Sequence, residues 1–226
     1  MRLLLMRHAE ARGNAQQRML GQSDESLSSH GVLQAQRLGQ FLVPHFAAPT
    51  HLYSSPLKRA VATLERLMAC FPDAGDFPPI QISDALLEIH NGIFQGLTWQ
   101  EAQEQYPDLC QQLMSCQDLI PLPGGETLSD CCDRTRSFIH TLYHTHHHSD
   151  RVWVMTHGGI LQYLIAAILD TPNVWGMSIG NTALFEFEVD LHYSSQSAQN
   201  PQLCRIRRFN EHPHAPTEHS TRQIFS

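Results

Sequence analysis

The chain has 226 residues, a formal net charge of −7 with its histidines neutral, and 42% hydrophobic against 16% charged side chains. This length suits one domain with a substantial core, and the acidic balance argues against a general nucleic-acid surface. No apolar run is long enough for a signal peptide or for the ~20 residues that span a bilayer. We therefore expect a cytoplasmic protein whose partners include neither a membrane nor a nucleic acid.

The first part of the chain alternates short apolar strands with amphipathic helices. Residues 3–6 are typical of a fully buried strand, and residues 31–46 have the helical spacing of apolar side chains. Residues 51–53 predict a second strand. Ser55-Pro56 resembles an N-cap followed by proline at the first helical position, so a helix is expected to begin there.

The middle of the chain combines one more strand with a helical insertion. A third strand is expected at residues 80–82, and helical segments are expected over about 98–116. A long amphipathic helix should begin near Leu128. We expect the insertion, over about residues 93–128, to cover a site as a lid. Its aromatic side chains, such as Trp99, fit equally a cavity lining and the core of the insertion itself.

The last part of the chain adds both parallel and antiparallel elements. Residues 151–156 predict a strand that leads into an apolar helix, and residues 183–189 and 203–209 alternate with period two, as in a half-exposed antiparallel pair. Strands alternating with helices favour an α/β fold: three layers, α/β/α, with a mainly parallel central sheet and antiparallel edge strands. We assign residues 1–209 to a single domain and 210–226 to a polar tail.

Six cysteines are scattered along the chain without a CxxC pair. They lie in helical or strand patterns, which suits small buried apolar side chains better than a disulfide framework. Because disulfides are also rare in reducing compartments, we expect free thiols.

Two of the predicted strands run directly into a histidine. His8 follows the first strand beside Arg7, and His157 follows the strand at 151–156. Ligands of open parallel sheets bind outside the carboxyl ends of the strands, so both imidazoles are expected at one edge. Arg59 lies in the first turn of a helix, whose free N–H groups favour an anion. Together these groups can neutralise the oxygens of a transferring phosphoryl group.

Each of these signals also has an ordinary structural explanation. A histidine at the end of a strand is more often a hydrogen-bonded structural residue, and an arginine in a first helical turn is usually a surface charge. Glu88, considered without its surroundings, is better explained as a helix cap or the partner of an arginine. The combination, rather than any member, points to phosphoryl chemistry.

Four segments, in order along the chain, resemble the motifs of the histidine phosphatase superfamily, also called the phosphoglycerate mutase-like family. They are LMRHAEARGN at residues 5–14, YSSPLKRAVAT at 53–63, LEIHNGIFQG at 87–96 and THGG at 156–159. The resemblance covers about residues 2–189. Four motifs in the same order are far more specific than any one of them.

The resemblance implies a metal-independent phosphatase that hydrolyses a small phosphorylated metabolite through a phosphohistidine on His8. It implies that Arg7, Arg59 and His157 bind the phosphate and that Glu88 is the general acid and base. The further substrate-binding positions that it implies are Asn14, Arg18, Gly21, Gly158 and Glu126. It implies no metal and no cofactor, and it leaves open whether the chain forms a homodimer.

Two rival functions remain. A cofactor-dependent phosphoglycerate mutase would use the same residues to return the phosphoryl group to its substrate. Against it, Leu20 stands where such mutases commonly have threonine, and Gly159-Ile160 stands where they have Asn-Ser. The second rival is a non-catalytic phosphate-ester-binding protein, since some relatives keep the fold and lose catalysis. Such relatives usually lack one of the core residues, all of which are present here.

A dense run of histidines between His140 and His148 could capture a transition metal. The run contains no carboxylate or cysteine at ligand spacing. Polar side chains at the C-terminus of a helix are therefore the preferred interpretation, and no metal site is assigned.

Overall fold

The computed structural model describes residues 1–72, 77–115, 120–174, 176–191 and 204–214. These ranges contain six strands: β1 (Arg2–Arg7), β2 (His51–Ser54), β3 (Ile80–Ile82), β4 (Arg151–Thr156), β5 (Leu184–Val189) and β6 (Cys204–Glu211). The strands form one sheet in the order β3-β2-β4-β1-β5-β6. The pairs β1–β5 and β5–β6 are antiparallel, and the other three neighbouring pairs are parallel. The expected mainly parallel sheet with antiparallel edge strands is confirmed.

Helices cover both faces of this sheet. In the described ranges they are α1 (Arg12–Ala15), α2 (Ser29–His45), α3 (Lys58–Met68), α4 (Trp99–Gln105), α5 (Pro107–Ser115), α6 (Leu128–Thr145) and α7 (Gly158–Ile168). Two 3₁₀ turns lie at Asp84–Leu86 and Gly92–Phe94. None of the helices in these ranges is both long enough and apolar enough to cross a lipid bilayer.

The apolar character of β1 explains the three layers. Leu3 and Leu5 pack against α6 and α7, whereas Leu4 and Met6 pack against α2 and α3. Successive side chains of a strand point to opposite faces of the sheet, so a strand with only apolar positions must be covered on both faces. The two helix pairs supply this cover.

The register of the strands places the predicted site. Arg7, the last residue of β1, is paired with Thr156, the last residue of β4. His8 and His157 follow these two residues, so both lie at the same edge of the sheet. β2 is parallel to β4 on its other side, with Ser54 paired to Met155. The residues that follow β2 therefore reach the same edge.

The predicted start of α3 at Pro56 is wrong. The helix begins at Lys58, and the Lys58 amide donates a 2.7 Å hydrogen bond to Asp24 Oδ1. The hydroxyl of Ser55, the expected cap, accepts only a long 3.4 Å hydrogen bond from the Leu57 amide and lies 2.7 Å from Nε2 of His157. A carboxylate from a distant loop thus takes the capping role, and the serine is free to contact the site.

The described part of the insertion has its own small core. Its helical segments are α4 and α5, as expected over about 98–116, although Cys116 itself lies outside the described residues. Phe94, Ala102 and Cys110 are buried there, with Trp99 packed against them. The aromatic side chain therefore belongs to the core of the insertion, which decides between the two alternatives left by the sequence.

The C-terminal end of the described chain extends past the boundary expected at 209. β6 continues to Glu211, and His214 Nε2 lies 2.9 Å from Thr182 Oγ1. The left-handed backbone of Asn210, with φ of 52°, accompanies this return toward the sheet. The remainder of the expected tail, from 215 onward, lies outside the described residues.

The cysteines within the described ranges are free thiols: Cys70, Cys110, Cys131, Cys132 and Cys204. Burial raises the pKa of the Cys131 thiol to about 12 and that of Cys204 to about 11. A raised pKa disfavours the thiolate, which is the reactive form.

Candidate active site

A cavity at the carboxyl ends of β1 and β4 collects most of the predicted residues. Its lining consists of Arg7, His8, Asn14, Leu20, Gly21, Arg59, Glu88, Ile89, Asn91 and Gly159. Four of these lining residues are not among the predicted site residues: Leu20, Ile89, Asn91 and Gly159. Ile89 and Asn91 lie in a loop, and a loop without periodicity does not indicate which side chains point inward. His157 is fully buried beside this lining.

Hydrogen bonds hold His8 in one tautomer. Its Nδ1 lies 2.7 Å from the Ala9 carbonyl oxygen, and its Nε2 lies 3.2 Å from Nε of Arg59, which can only donate. The proton is therefore on Nδ1, and Nε2 carries a lone pair. Burial, followed by the positive charges of Arg59 and Arg7, lowers the pKa of His8 well below its usual value. A neutral imidazole with an available Nε2 is a competent nucleophile.

His157 is a second neutral imidazole. Its ring centroid is 4.9 Å from that of His8, and its Nδ1 accepts a 3.2 Å hydrogen bond from Arg59 Nε. The proton therefore lies on Nε2, which donates to the Ser55 hydroxyl at 2.7 Å. Burial is the main cause that lowers the pKa of His157 well below its usual value, with His8 and Arg59 next. His157 therefore acts as a hydrogen-bonding group here rather than as a cation.

Arg59 connects the two histidines to the loop that follows α1. Its Nη1 donates to the Ser23 carbonyl at 2.6 Å and its Nη2 to the Gly21 carbonyl at 2.7 Å. Gly21 adopts a φ of 48°, which glycine accepts without strain. Burial lowers the pKa of Arg59 to about 10, so the guanidinium stays charged at neutral pH.

Arg7 supplies a second buried guanidinium. Its Nη1 donates to the Ile179 carbonyl, whereas its Nε is buried without a hydrogen-bond partner in the described part of the chain. Gly158 allows the start of α7 to approach, since a Cβ there would lie 3.3 Å from the guanidinium. An unsatisfied buried donor on a charged group favours binding of an anion at this position.

The Glu88 carboxylate lies at the N-terminus of α7. Oε2 accepts from the Gly159 amide at 3.1 Å, and Oε1 accepts from the amides of Ile160 and Ile89, each at 3.0 Å. The first N–H groups of a helix have no partner inside it, so they orient the carboxylate at the cavity wall. A carboxyl group held there can exchange a proton with a leaving oxygen or a water molecule.

The further predicted positions divide into two groups. Asn14 and Gly21 line the cavity, and Asn14 Oδ1 also accepts from the Ala11 amide at 3.0 Å. Arg18 does not line the cavity. Its guanidinium makes two hydrogen bonds to the carboxylate of Glu101, of 2.8 and 3.2 Å, and so ties the loop to α4.

Glu126 also lies outside the lining, where it pairs with an arginine that the sequence did not single out. Arg134 Nε is 2.8 Å from Oε1 of Glu126, and Nη1 of Arg134 donates to the Leu87 carbonyl at 2.8 Å. Glu126 Oε2 accepts from the His90 amide at 2.9 Å. The pair therefore holds the chain on both sides of Glu88. The one feature of the sequence that could have pointed to Arg134 is its position beside the apolar stripe of α6.

Comparisons with known proteins agree with this geometry. Residues 3–200 match the family described as "Histidine phosphatase superfamily (branch 1)". The chain is 33% identical over 169 residues to a metal-independent phosphoserine phosphatase of Arabidopsis thaliana, covering 74% of this chain and 68% of that protein. It is 34% identical over 178 residues to a glucosyl-3-phosphoglycerate phosphatase of Mycolicibacterium vanbaalenii, covering 76% and 75%.

A solved structure extends the comparison to the fold. A mycobacterial glucosyl-3-phosphoglycerate phosphatase in complex with VO3 is similar with a TM-score of 0.73 and 26% sequence identity. The match covers 92% of this chain and 98% of that one.

Proposed function

Because the chain belongs to branch 1 of the histidine phosphatase superfamily, we propose that it hydrolyses a small phosphomonoester through a phosphohistidine on His8. The family resemblance inferred from the four motifs is confirmed by this membership. The relatives named above as phosphatases support hydrolysis. The observation that carries the proposal is the fixed tautomer of His8, whose unprotonated Nε2 lies 3.2 Å from a buried guanidinium.

In this proposal, binding of the substrate makes the lone pair of His8 Nε2 available for attack. Arg59 Nε donates to the same His8 lone pair that must attack phosphorus. A phosphate oxygen is a stronger acceptor than an imidazole, since charge-assisted hydrogen bonds are the stronger ones. The bound phosphate therefore takes over the donation from Arg59 and accepts from the unsatisfied Nε of Arg7. The lone pair of His8 is then free to react.

Two displacements follow at phosphorus. In the first, the bond from His8 Nε2 to phosphorus forms, the ester P–O bond breaks, and Glu88, which enters this step as the carboxylic acid, gives its proton to the leaving oxygen and becomes the carboxylate. The hydrogen bond from Nδ1 to the Ala9 carbonyl stabilises the positive charge that develops on the ring. In the second, Glu88 takes a proton from water, the water oxygen attacks phosphorus, and the N–P bond breaks to release phosphate.

We further propose that the reaction requires no metal ion and that it takes place in the cytoplasm. The side chains of the site supply a nucleophile, a carboxyl group and two guanidinium groups for the phosphate oxygens. The Arabidopsis thaliana relative is named as metal-independent. Turnover should then be the same before and after dialysis against EDTA, and a loss that Mg²⁺ or Zn²⁺ restores would contradict this part of the proposal.

The central test traps the intermediate. A ³²P-labelled ester, mixed rapidly with the protein and quenched, should give a phosphoamidate that is acid-labile and base-stable. His8→Ala should lose both the label and the release of phosphate. His45→Ala is the matched control, because His45 is an exposed histidine in the last turn of α2. Label on another residue, or turnover largely retained in His8→Ala, would refute the assignment.

The same experiment separates the two rival functions. A mutase would return the label to an ester, whereas a phosphatase releases inorganic phosphate. A binding protein would give neither product. A panel of phosphoserine, phosphoglycerates, sugar phosphates and nucleotides, ranked by kcat/KM, would then identify the substrate class.

A further inference from the structure

A second cluster of polar side chains lies at the end of the sheet opposite His8. His51 is the first residue of β2, Asp150 immediately precedes β4, and His146 caps the C-terminus of α6. His157 follows β4, so the six residues of that strand, at about 3.3 Å each, put about 20 Å between the two regions. Among the described residues, this is the one group of three potential metal ligands whose atoms lie within 4.8 Å of one another.

We propose that His51, His146 and Asp150 bind a divalent transition-metal ion, Zn²⁺, which joins β2, β4 and α6. Two imidazoles and a carboxylate are ligands that Zn²⁺ prefers, and a water molecule can complete a tetrahedron. The site is remote from the cavity, so its function is to stabilise the fold. The proposal goes beyond the phosphatase function and does not depend on it.

The strongest observation concerns His146. Its side chain is only 3% exposed, yet its Nδ1 is buried without a hydrogen-bond partner among the described residues. Its Nε2 lies 3.0 Å from the Tyr53 hydroxyl oxygen. With the proton on Nε2 and donated to Tyr53, the lone pair of Nδ1 faces the cluster. Histidine ligands of metals characteristically donate their other ring N–H in this way, and a metal ion would satisfy the orphaned nitrogen.

The distances to Asp150 are those of ligands rather than of hydrogen-bonded partners. Asp150 Oδ2 lies 3.6 Å from Nδ1 of His146 and 3.9 Å from Nδ1 of His51, both too long for a hydrogen bond. Tetrahedral Zn²⁺ with bonds of about 2.0–2.1 Å would hold its ligand atoms about 3.4 Å apart. The carboxylate is oriented by the His147 amide, which donates to Oδ2 at 2.8 Å.

His51 requires one local adjustment. Its Nδ1 lies 2.9 Å from the Thr50 hydroxyl, which would have to turn away. The same hydroxyl has the Arg151 carbonyl at 3.3 Å as another acceptor, so it keeps a partner after turning. The His51 side chain is 33% exposed, which leaves the ion a path from solvent.

The sequence indicated only part of this site, because Asp150 lies four residues after His146, a ligand spacing that the sequence interpretation passed over. Of the histidine run from His140 to His148, only His146 takes part. The carboxylate comes from beyond the end of the run, and the second imidazole comes from β2. The run does contain one competing pair, because Nε2 of His140 and Nε2 of His144 are 2.9 Å apart on the exposed face of α6.

Titration of Zn²⁺ into the full-length, EDTA-dialysed protein, followed by calorimetry, tests the proposal. Asp150→Asn removes the charge but keeps an oxygen for the His147 amide. His51→Ala removes a ligand that is partly exposed. Both variants should therefore remain folded. Circular dichroism in EDTA verifies folding. Each folded variant should lose one tight equivalent of Zn²⁺ and the rise in Tm that accompanies it. The control, His140→Ala with His144→Ala, should keep both.

A fourth variant tests the role of the Tyr53 hydroxyl group, the partner of His146. Tyr53→Phe leaves all three ligands in place and should weaken the tight equivalent by about 10- to 100-fold, as is typical when the partner of a metal ligand is removed. Any weaker binding of Zn²⁺ at His8 and His157 would persist in every variant, so it can be distinguished from the tight equivalent at the proposed site. Absence of a tight equivalent, its retention in a folded Asp150→Asn or His51→Ala protein, or its loss in the control would overturn the proposal. None of these readouts depends on phosphatase activity.

Discussion

Glu88 and Gly159 approach so closely that a methyl group does not fit between them. The Glu88 carboxylate accepts a 3.1 Å hydrogen bond from the Gly159 amide, and a Cβ at position 159 would lie 2.7 Å from Oε1. The glycine of the THGG motif therefore lets the helix N-terminus hold the proposed acid and base in place. We therefore expect this glycine to affect the proposed catalysis through the position of the Glu88 carboxylate.

Gly159→Ala should displace this carboxylate while the fold survives. The oxygen is the end of a flexible side chain, so it moves aside rather than the backbone. A displacement of about 1 Å can cost about 10²-fold in rate, and we expect a loss of that order in the phosphorylation of His8. Single-turnover kinetics would measure it. Gly176→Ala is the matched control, since a Cβ there meets no described atom within 4 Å. An unchanged rate in Gly159→Ala would contradict the positioning argument.

Replacement of Glu88 by glutamine tests the proton transfer itself. Glutamine keeps one oxygen for the amides of Ile160 and Ile89, places its NH2 group where Oε2 accepts from the Gly159 amide, and cannot deliver the proton. Phosphorylation by alkyl esters should fall by roughly 10²- to 10⁴-fold, because an alkoxide is a strongly basic leaving group. Phosphorylation by p-nitrophenyl phosphate should fall much less, because p-nitrophenolate needs little protonation.

The comparison of leaving groups must be made on the first step. Glu88 also activates water in the second step of the proposed mechanism, and loss of that role would slow both esters equally. Rapid-quench measurement of phosphohistidine formation avoids this overlap. Equal losses for the two esters in the first step would indicate that Glu88 only positions other groups.

Strands with a uniform composition could be predicted well from the sequence. The apolar positions of β1 and β4 predict burial on both faces, and their parallel register brings His8 and His157 together at one edge. Those two features required only the period of the strand and the direction of the chain. The motifs predicted the two further positions with a proposed catalytic role, Arg59 and Glu88, and both line the same cavity.

Contacts between distant segments could not be predicted in this way. Asp24 replaces Ser55 at the start of α3, and Glu101 draws Arg18 away from the cavity. Each depends on which loop lies nearby after folding, and loops have no periodicity from which a side chain's direction follows. Arg134 was missed for the same reason, since its partners lie on two other segments.

Arg134→Met should lower both the stability and the activity. The Arg134–Glu126 pair is largely buried, with side chains 18% and 19% exposed, so an unpaired Glu126 should cost about 1–3 kcal/mol in the free energy of unfolding. The Leu87 carbonyl also loses its donor, which loosens Glu88. We therefore expect phosphorylation by alkyl esters to fall more than phosphorylation by p-nitrophenyl phosphate.

The control for this variant is an exposed pair of the same kind. Arg207 contacts Glu188 with side chains 50% and 32% exposed, so Arg207→Met should leave the free energy of unfolding nearly unchanged and both rates unaltered. Urea unfolding and single-turnover kinetics provide the two measurements. If Arg134→Met slowed both esters alike, Arg134 would be a general structural residue rather than one that positions Glu88.

The two buried imidazoles should make the protein less stable at acidic pH. Burial lowers the pKa of His8 and of His157 well below 6.5 in the folded chain, whereas the unfolded chain takes up protons near that pH. Below about pH 6.5 the unfolded state therefore binds more protons than the folded state. The contribution of each histidine is fully present above that pH and is lost as the pH falls toward the folded-state pKa.

The size of this effect can be measured by removing one of the two histidines. Each proton that is taken up on unfolding increases the slope of the free energy of unfolding against pH by up to about 1.4 kcal/mol per pH unit. His157→Gln cannot take up this proton, so its free energy of unfolding should fall less steeply between pH 7 and pH 5, by about one proton. Urea unfolding at several pH values compares the two slopes directly. Histidines distant from the site titrate equally in both proteins, so the difference reports His157 together with its coupling to His8, and identical slopes would mean that the His157 imidazole is protonated in the folded protein as readily as in the unfolded chain.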